Sequence, residues 1–444
     1  MLLAQPKPAA AEPDGASPVA RPPASAPRVL LVGNYAPDQQ QSMRRFAEML
    51  HAGLRARGVQ VETLNPPAYF GGRRGGSTFS GPGKWLAYAD KYLRFPRMLR
   101  QRIRELRRAA PDAPLVVHIC DHSNAVYAPH ARAALRTSTA AGDSAVVVTC
   151  HDLGAVRGAF GEARETYCPA SRTGRVLQGW IRRSLGRADL VACDSAATES
   201  DVRRLVCAPG PTRQSPATRT ILIGLNFKFQ PVPAALADSR LARLAPLGFD
   251  PAKPFLLHVG SSLPRKNRDG VLRAYARMLT QGWRGQLVFA GEALPPDLQP
   301  LAAGLNASRV GRVLQLVNPD NDLLAALYSR ALALLFPSRF EGFGWPVIEA
   351  QACGCPVACS ADAPALAEVA GDGALLAPAE DADAFAASCL QLDRDPAARA
   401  RLIERGFANL RRFDTDRMFD DYLRAYHDAL AIAAKTAAAS CRSS

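Results

Sequence analysis

"LALLFPSRFEGFGWPVIEA" spans Leu332–Ala350. It opens on a continuous apolar run, the pattern of a parallel strand buried on both faces. The run stops at Pro337. Gly342 and Gly344 then let the backbone approach a ligand closely, and Pro346 suits the first turn of a helix. Strand, Gly-rich loop and helix start form one step of a doubly wound sheet, in which ligands bind beyond the carboxyl ends of the strands. The helix amino end suits a phosphate. Two carboxylates, Glu341 and Glu349, flank the loop, Glu349 being placed in the first turn of the helix. They could be an acid/base pair, metal ligands, or acceptors for a group rich in hydroxyls. One Glu alone would be read as an acidic residue complementing a helix dipole. Glu, Gly, Gly, Pro and Glu in this order point to a site.

Working outward, strands alternate with helices: "FLLHVGS", "GQLVFAGE", "RVLQLV", "PVACS" and "ALLAP" are short apolar runs separated by helical patterns. The first half repeats the design with "RVLLVGN", "VQVETL", "PLVVHIC", "SAVVVTC" and "ADLVACDS". Ser195 or Thr198 could cap the helix after the last of these. The expected architecture is α/β with two Rossmann-like domains facing a cleft. The divisions are a disordered Ala/Pro-rich leader over 1–27, a first domain over 28–225 and a Pro-rich linker over 226–253. A second domain over 254–409, a helix over 410–434 and a loose tail over 435–444 complete it.

The chain has 444 residues, 48% hydrophobic and 21% charged, an ordinary globular composition. No run reaches the roughly 18 apolar residues of a membrane span, and the leader lacks the apolar core of a signal peptide. A cytoplasmic protein is expected, with peripheral contact at the inner membrane face left open. The cysteines read as buried thiols, and "CGCPVAC" reads as a turn into a strand rather than a metal site. The net charge of +15 is lopsided: residues 1–230 hold 32 Lys and Arg against 17 Asp and Glu, whereas the remainder holds 23 of each. The first half therefore meets something anionic or carries a well-solvated basic surface.

"HVGSSLPRKN" is the first strand-to-helix turn of the second domain. Arg265 and Lys266 sit there, a fork and a point charge suited to a diphosphate. Together with the Glu pair they make a solvated basic turn the poorer reading.

These residues resemble the retaining nucleotide-sugar glycosyltransferases of the GT-B fold, family 4. "EGFGWPVIE" matches that family's Glu-x7-Glu element, "PRKN" its phosphate turn, and "ACGCPVACSADAPALAEVAGDGALL" the segment that follows. "VVVTCHDL" resembles its first-domain strand that presents a His to the donor sugar. The likeness covers most of residues 28–430. It implies that Glu349 holds the ribose hydroxyls, and that Glu341 with the backbone of Gly342, Phe343 and Gly344 holds the donor sugar. It implies that Arg265 and Lys266 neutralise the diphosphate and that His151 contacts the sugar across the cleft. The implied activity is retaining hexosyl transfer, with mannose among the candidate sugars. The donor is a nucleotide-diphosphate sugar, and the acceptor is a saccharide or a lipid-linked molecule used in cell-surface polysaccharide or glycolipid synthesis. No metal and no cofactor are expected, because fixed cations do the charge work. Two departures stand out. "GNYAPDQQQSMRR" replaces a Gly-Gly loop, and Ser261 stands where many relatives have Arg, which leaves more of the phosphate load to Arg265.

"HICDHSN" could suggest a metal, but alternate strand side chains point apart, and a cleft-lining loop is the better reading. Asp121 and His122 are its candidate acceptor contacts. "RFPRMLRQRIRELRRAA" predicts a helix with Leu99, Ile103 and Leu106 on one stripe and Arg97, Arg100, Arg104, Arg107 and Arg108 on another. That suits an anionic membrane surface or a solvated basic face equally. Two further function classes are a GT-B-like nucleotide-sugar epimerase and a basic nucleic-acid binder. No helix-turn-helix, zinc finger or aromatic-studded strand supports the latter.

Overall fold

The computed structural model describes residues 27–71, 83–136, 143–161, 168–207, 215–307 and 311–442. All but the last residue of the expected leader lies outside them. Six parallel strands form the first sheet: β1 (Arg28–Val32), β2 (Val61–Leu64), β3 (Leu115–Ile119), β4 (Ser144–Cys150), β5 (Leu190–Cys193) and β6 (Ala217–Thr220), in the order β2-β1-β3-β4-β5-β6. Six more form the second: β7 (Phe255–Gly260), β8 (Gln286–Gly291), β9 (Arg312–Val317), β10 (Ala333–Phe336), β11 (Val357–Ser360) and β12 (Leu375–Ala377), ordered β12-β11-β10-β7-β8-β9. Each order reverses beside its first strand, so each sheet has a switch point where a crevice opens at the strand ends. The central strands β3, β4, β5 and β10 are buried along their whole length, as their apolar runs require.

Three expectations are corrected. The stretch read as a linker folds into a helix, Ala234–Ala242, whose Ala237 and Leu241 join Phe249 in the second-domain core. The loose tail is a helix as far as Arg442, because one helix runs from Thr415. On the Phe95–Ala109 helix, Arg107 leaves the outward basic stripe; it is buried and donates to the Ala113 carbonyl at 3.2 Å.

The long last helix returns to the first domain. Its Tyr422 and Tyr426 are fully buried beneath β3 and β4. The Tyr426 hydroxyl lies 2.8 Å from His118 Nδ1, and His118 Nε2 lies 2.8 Å from Thr149 Oγ1. Burial pushes the His118 imidazole down to about 3, so it is neutral and each ring nitrogen needs one partner. At the start of the helix Arg57 pairs with Asp416 and Asp420, each at 2.9 Å. His118 therefore faces this helix, while His122 lies on the loop beyond the strand. Tyr426→Phe is expected to lower unfolding stability by about 1–3 kcal/mol, the cost of leaving a buried ring nitrogen unpaired; urea denaturation measures it.

Candidate active site

The turn after β7 winds Pro264–Lys266 into one 3-10 turn that ends on Asn267 with φ 53°. Asn267 fixes this turn to its neighbours. Its Oδ1 accepts from the Gly270 amide, and its Nδ2 donates to the Pro337 and Ala379 carbonyls at 2.9 and 2.7 Å. That brings Arg265 and Lys266 to the loop after β10. There the Glu341 carboxylate takes both: Arg265 at 2.7 Å on Oε2 and Lys266 at 2.6 Å on Oε1. Burial alone would raise the Glu341 carboxyl; the two cations outweigh it and hold it down at about 2. Lys266 is pulled below its ordinary value by its own burial, against the attraction of Glu341. The three residues form one largely buried ionic cluster with a positive excess.

Gly342 presses against the first domain. A Cβ there would lie 1.7 Å from the His151 carbonyl oxygen, so no other residue fits. Gly344 has φ 107°, a left-handed conformation that favours glycine, and it immediately precedes the helix Trp345–Ala352. Phe343 is buried, with its ring 5.7 Å from that of Phe413. Glu349 lies one turn into the helix, later than its expected first-turn place. It is buried and accepts from the Tyr328 hydroxyl at 3.0 Å. Burial pushes its carboxyl up to about 7, with Tyr328 opposing. Ser261 is half-buried at the end of β7. The nearby Arg268 is spent on the Gly260 and Glu292 carbonyls, at 2.6 and 2.8 Å.

On the first-domain wall His151 and Asp121 are both engaged by neighbouring groups. The His151 ring lies with Nε2 2.9 Å from the Cys120 carbonyl and Nδ1 3.2 Å from Asp194. Both partners are acceptors, so a proton is shared between ring and carboxylate. Burial would lower the ring, but the bond to Asp194 raises it, while burial pushes Asp194 up to about 7. The backbone of His151 meets the loop at Gly342. Asp121 is likewise engaged inside its own loop: it accepts from the Ser123 amide and hydroxyl at 2.9 and 2.7 Å and from Asn34. It secures the loop after β1 to the loop after β3, and His122 lies 3.3 Å from it.

Several residues were not anticipated. Asp38 and Lys91 form a buried pair at 3.0 Å. Asp90 is fully buried and accepts from the amides of Phe70 and Gly71, each at 2.9 Å to Oδ2. The signal was present in "AYADKYL", where two charges interrupt an otherwise apolar helix.

Comparison with known proteins gives a consistent picture. Residues 242–408 match the family model described as glycosyl transferases group 1, and residues 43–216 match that described as glycosyltransferase family 4. The O-antigen chain mannosyltransferase B of Escherichia coli is 30% identical over 266 residues, covering 59% of this chain and 66% of that protein. The D-inositol 3-phosphate glycosyltransferase of Acidothermus cellulolyticus is 32% identical over 265 residues, covering 56% of this chain and 57% of that protein. The chain thus aligns with less than two thirds of each. Among solved structures, sucrose-phosphate synthase of Thermosynechococcus elongatus superimposes with a TM-score of 0.63 at 22% identity, covering 91% of this chain and 99% of that one. HepE of Anabaena, in complex with UDP and glucose, gives 0.62 at 15% identity, covering 90% and 98%. Both share the fold.

The ionic cluster makes a distinct prediction. Glu341 competes with any anion for Arg265 and Lys266, so Glu341→Gln is expected to bind inorganic pyrophosphate at least about tenfold more tightly, or 1.4 kcal/mol. Titration calorimetry measures it. The raised Glu349 carboxyl makes another. Hydroxyls donating to it favour its ionised form, so nucleoside diphosphate binding near pH 6 is expected to release a proton that Glu349→Gln does not. Affinity through this group should rise with pH up to about 7 and then level. Calorimetry in buffers of different ionisation enthalpy reads the release.

Proposed function

The chain belongs to the group 1 glycosyltransferases of family 4, and on that footing we propose that it moves a hexosyl group from a nucleotide-diphosphate sugar to a saccharide or lipid-linked acceptor. Configuration is retained and no metal takes part. Mannose is a leading candidate sugar, since one relative is a mannosyltransferase. Cell-surface polysaccharide or glycolipid synthesis is the matching setting. The observation that carries this reading is the pairing of Arg265 and Lys266 on Glu341, with Glu349 on the adjoining helix. Two fixed cations at the strand ends suit a diphosphate, and a buried carboxylate on the neighbouring helix suits vicinal hydroxyls.

In this mechanism Arg265 and Lys266 take the charge that develops on the departing diphosphate. Glu349 accepts from the ribose. Glu341 moves from the cations toward the sugar hydroxyls, next to the backbone of Gly342, Phe343 and Gly344. The departing phosphate oxygen takes the proton of the acceptor hydroxyl as the new glycosidic bond forms on the face it leaves. His151 supports the wall through its bond to Asp194 and does not hold the sugar with its ring. A thermal-shift screen with GDP, UDP and ADP sugars tests the donor class, since a ligand at a hundred times its Kd adds about 2.7 kcal/mol. Transfer is expected to persist in excess chelator, with the anomeric configuration of the product, read by NMR, matching the donor. Loss of activity restored by magnesium or manganese would overturn the charge assignment, and isomerised rather than transferred sugar would favour an epimerase.

A lipid-linked acceptor needs a membrane-facing surface. Among the described residues no helix is long and apolar enough to cross a membrane. The outer ridge of the Phe95–Ala109 helix and the turns before it exposes Trp85 (72%) and Leu93 (63%), followed by Arg97, Arg104 and Arg108. An aromatic and an aliphatic side chain beside a basic stripe suit an anionic bilayer. Co-sedimentation with vesicles containing phosphatidylserine is expected for the wild type and reduced for a Trp85→Ser, Leu93→Ser variant. Equal sedimentation of the two at low salt would remove the membrane from this reading.

A further inference from the structure

The start of the Ala196–Leu205 helix, a first-domain element, joins the second domain through two separate sets of bonds. Ser195 is fully buried and caps the helix, accepting from the Thr198 amide at 3.1 Å. Its hydroxyl also crosses the cleft and donates to the Gly342 carbonyl at 2.7 Å, and the Thr198 hydroxyl reaches the same oxygen at 3.3 Å. The next two amides belong to the unpaired donors that open every helix. They are taken by the second domain: Ala196 and Ala197 donate to the two oxygens of Glu368, at 2.9 and 3.1 Å. The positive end of the helix dipole thus receives its anion from across the cleft. Alongside, Phe340 fits against Gly154, where a Cβ would meet its ring at 2.6 Å, and the Arg157 guanidinium lies 5.6 Å from the ring centre.

We propose that Ser195 and Glu368 are positioning residues for sugar transfer: they set the Glu341–Gly344 loop in register against the first domain without touching the nucleotide. This rests on the glycosyltransferase reading. The peptide unit is planar and trans. A Gly342 carbonyl turned toward Ser195 therefore turns the Phe343 amide the opposite way, and that amide has no partner among the described residues. Ser195 decides which way this donor points, and Glu368 fixes how the two domains meet when it does. Arg265, Lys266 and Glu349 all lie in the second domain, so binding of the nucleotide should not need either residue. Alignment of the sugar with a first-domain acceptor should need both.

The test compares wild type with Ser195→Ala, Ser195→Thr and Glu368→Gln. Asp320→Ala serves as a control; it removes a helix cap bonded to Leu323 within the second domain. UDP and GDP binding by calorimetry is expected to stay within about twofold of wild type in every variant, while amide exchange at 340–344 rises at least about tenfold in Ser195→Ala and Glu368→Gln. Turnover, read as nucleoside diphosphate released from the preferred nucleotide sugar, is expected to fall about tenfold or more in kcat with KM for the donor little changed. Ser195→Thr, which keeps the hydroxyl, restores both, and Asp320→Ala changes neither. Unchanged exchange at 340–344 in Ser195→Ala overturns the proposal, as does a loss of nucleotide affinity that matches the loss of turnover. A wild type that binds neither UDP nor GDP and turns over no nucleotide sugar would count against the glycosyltransferase reading instead; the exchange measurement still decides the joint.

Discussion

The Glu341 carboxylate between Arg265 and Lys266 is the interaction on which the site depends. A buried lysine beside a partly buried arginine is repelled by it, and holding both charges there is costly without an anion. Glu341 supplies it, and removing one member of such a cluster typically costs about 3–5 kcal/mol. The cluster also fixes geometry. Arg265 follows β7 and Glu341 follows β10, so the ion pairs bind two strand ends across the switch point of the second sheet. Asn267 adds the loop after β12 through the Ala379 carbonyl. The glycines then allow what the charges demand: Gly342 lies flush with the opposite domain, and Gly344 turns the chain into the helix that carries Glu349.

Charge is divided in the chain by task. The whole excess of positive charge lies in residues 1–230, yet the cations of the site lie in the half whose net charge is zero. The candidate site holds two cations in place through Glu341, whereas the first-domain arginines mainly lie at the surface or in pairs with nearby carboxylates. Arg107 is an exception on its helix, because its position turns it toward the Ala113 carbonyl. A stripe drawn from helical spacing alone could not separate it from Arg104 and Arg108.

Continuous apolar runs made most of the fold legible. Eleven of the twelve strands could be read from such patterns; β6, "ATRT", could not, because three of its four residues are polar. The turn carrying Arg265 and Lys266 and the Glu341–Glu349 element were legible because their types and spacing lie within single segments. The partners of His151 and Asp121 were not. Asp194 and Asn34 lie 43 and 87 residues away, and nothing local in the sequence announces which acceptor a buried ring or carboxylate will meet. The helix at Ala234–Ala242 was hidden by the prolines around it, although Ala237 and Leu241 keep helical spacing on its buried side.

The two glutamates can now be weighed against a hydrolytic pair. Their environments push them apart, Glu349 up to about 7 and Glu341 down to about 2, which by itself is the signature of an acid and a base. Geometry argues otherwise. A general acid or base must reach the bond it serves, but Glu341 spends both oxygens on cations, and a carboxyl held at about 2 is a poor proton acceptor at neutral pH. Glu349 has the suitable affinity for a proton but is buried on a helix beside Tyr328, and its second oxygen is the one left for a ligand hydroxyl. On the function proposed, one carboxylate would neutralise cations until a diphosphate replaces it, and the other would exchange a proton for a ligand hydroxyl. On the same reading, each would be an acceptor whose state changes when the nucleotide arrives, and the proton released by bond formation would be left to the departing phosphate.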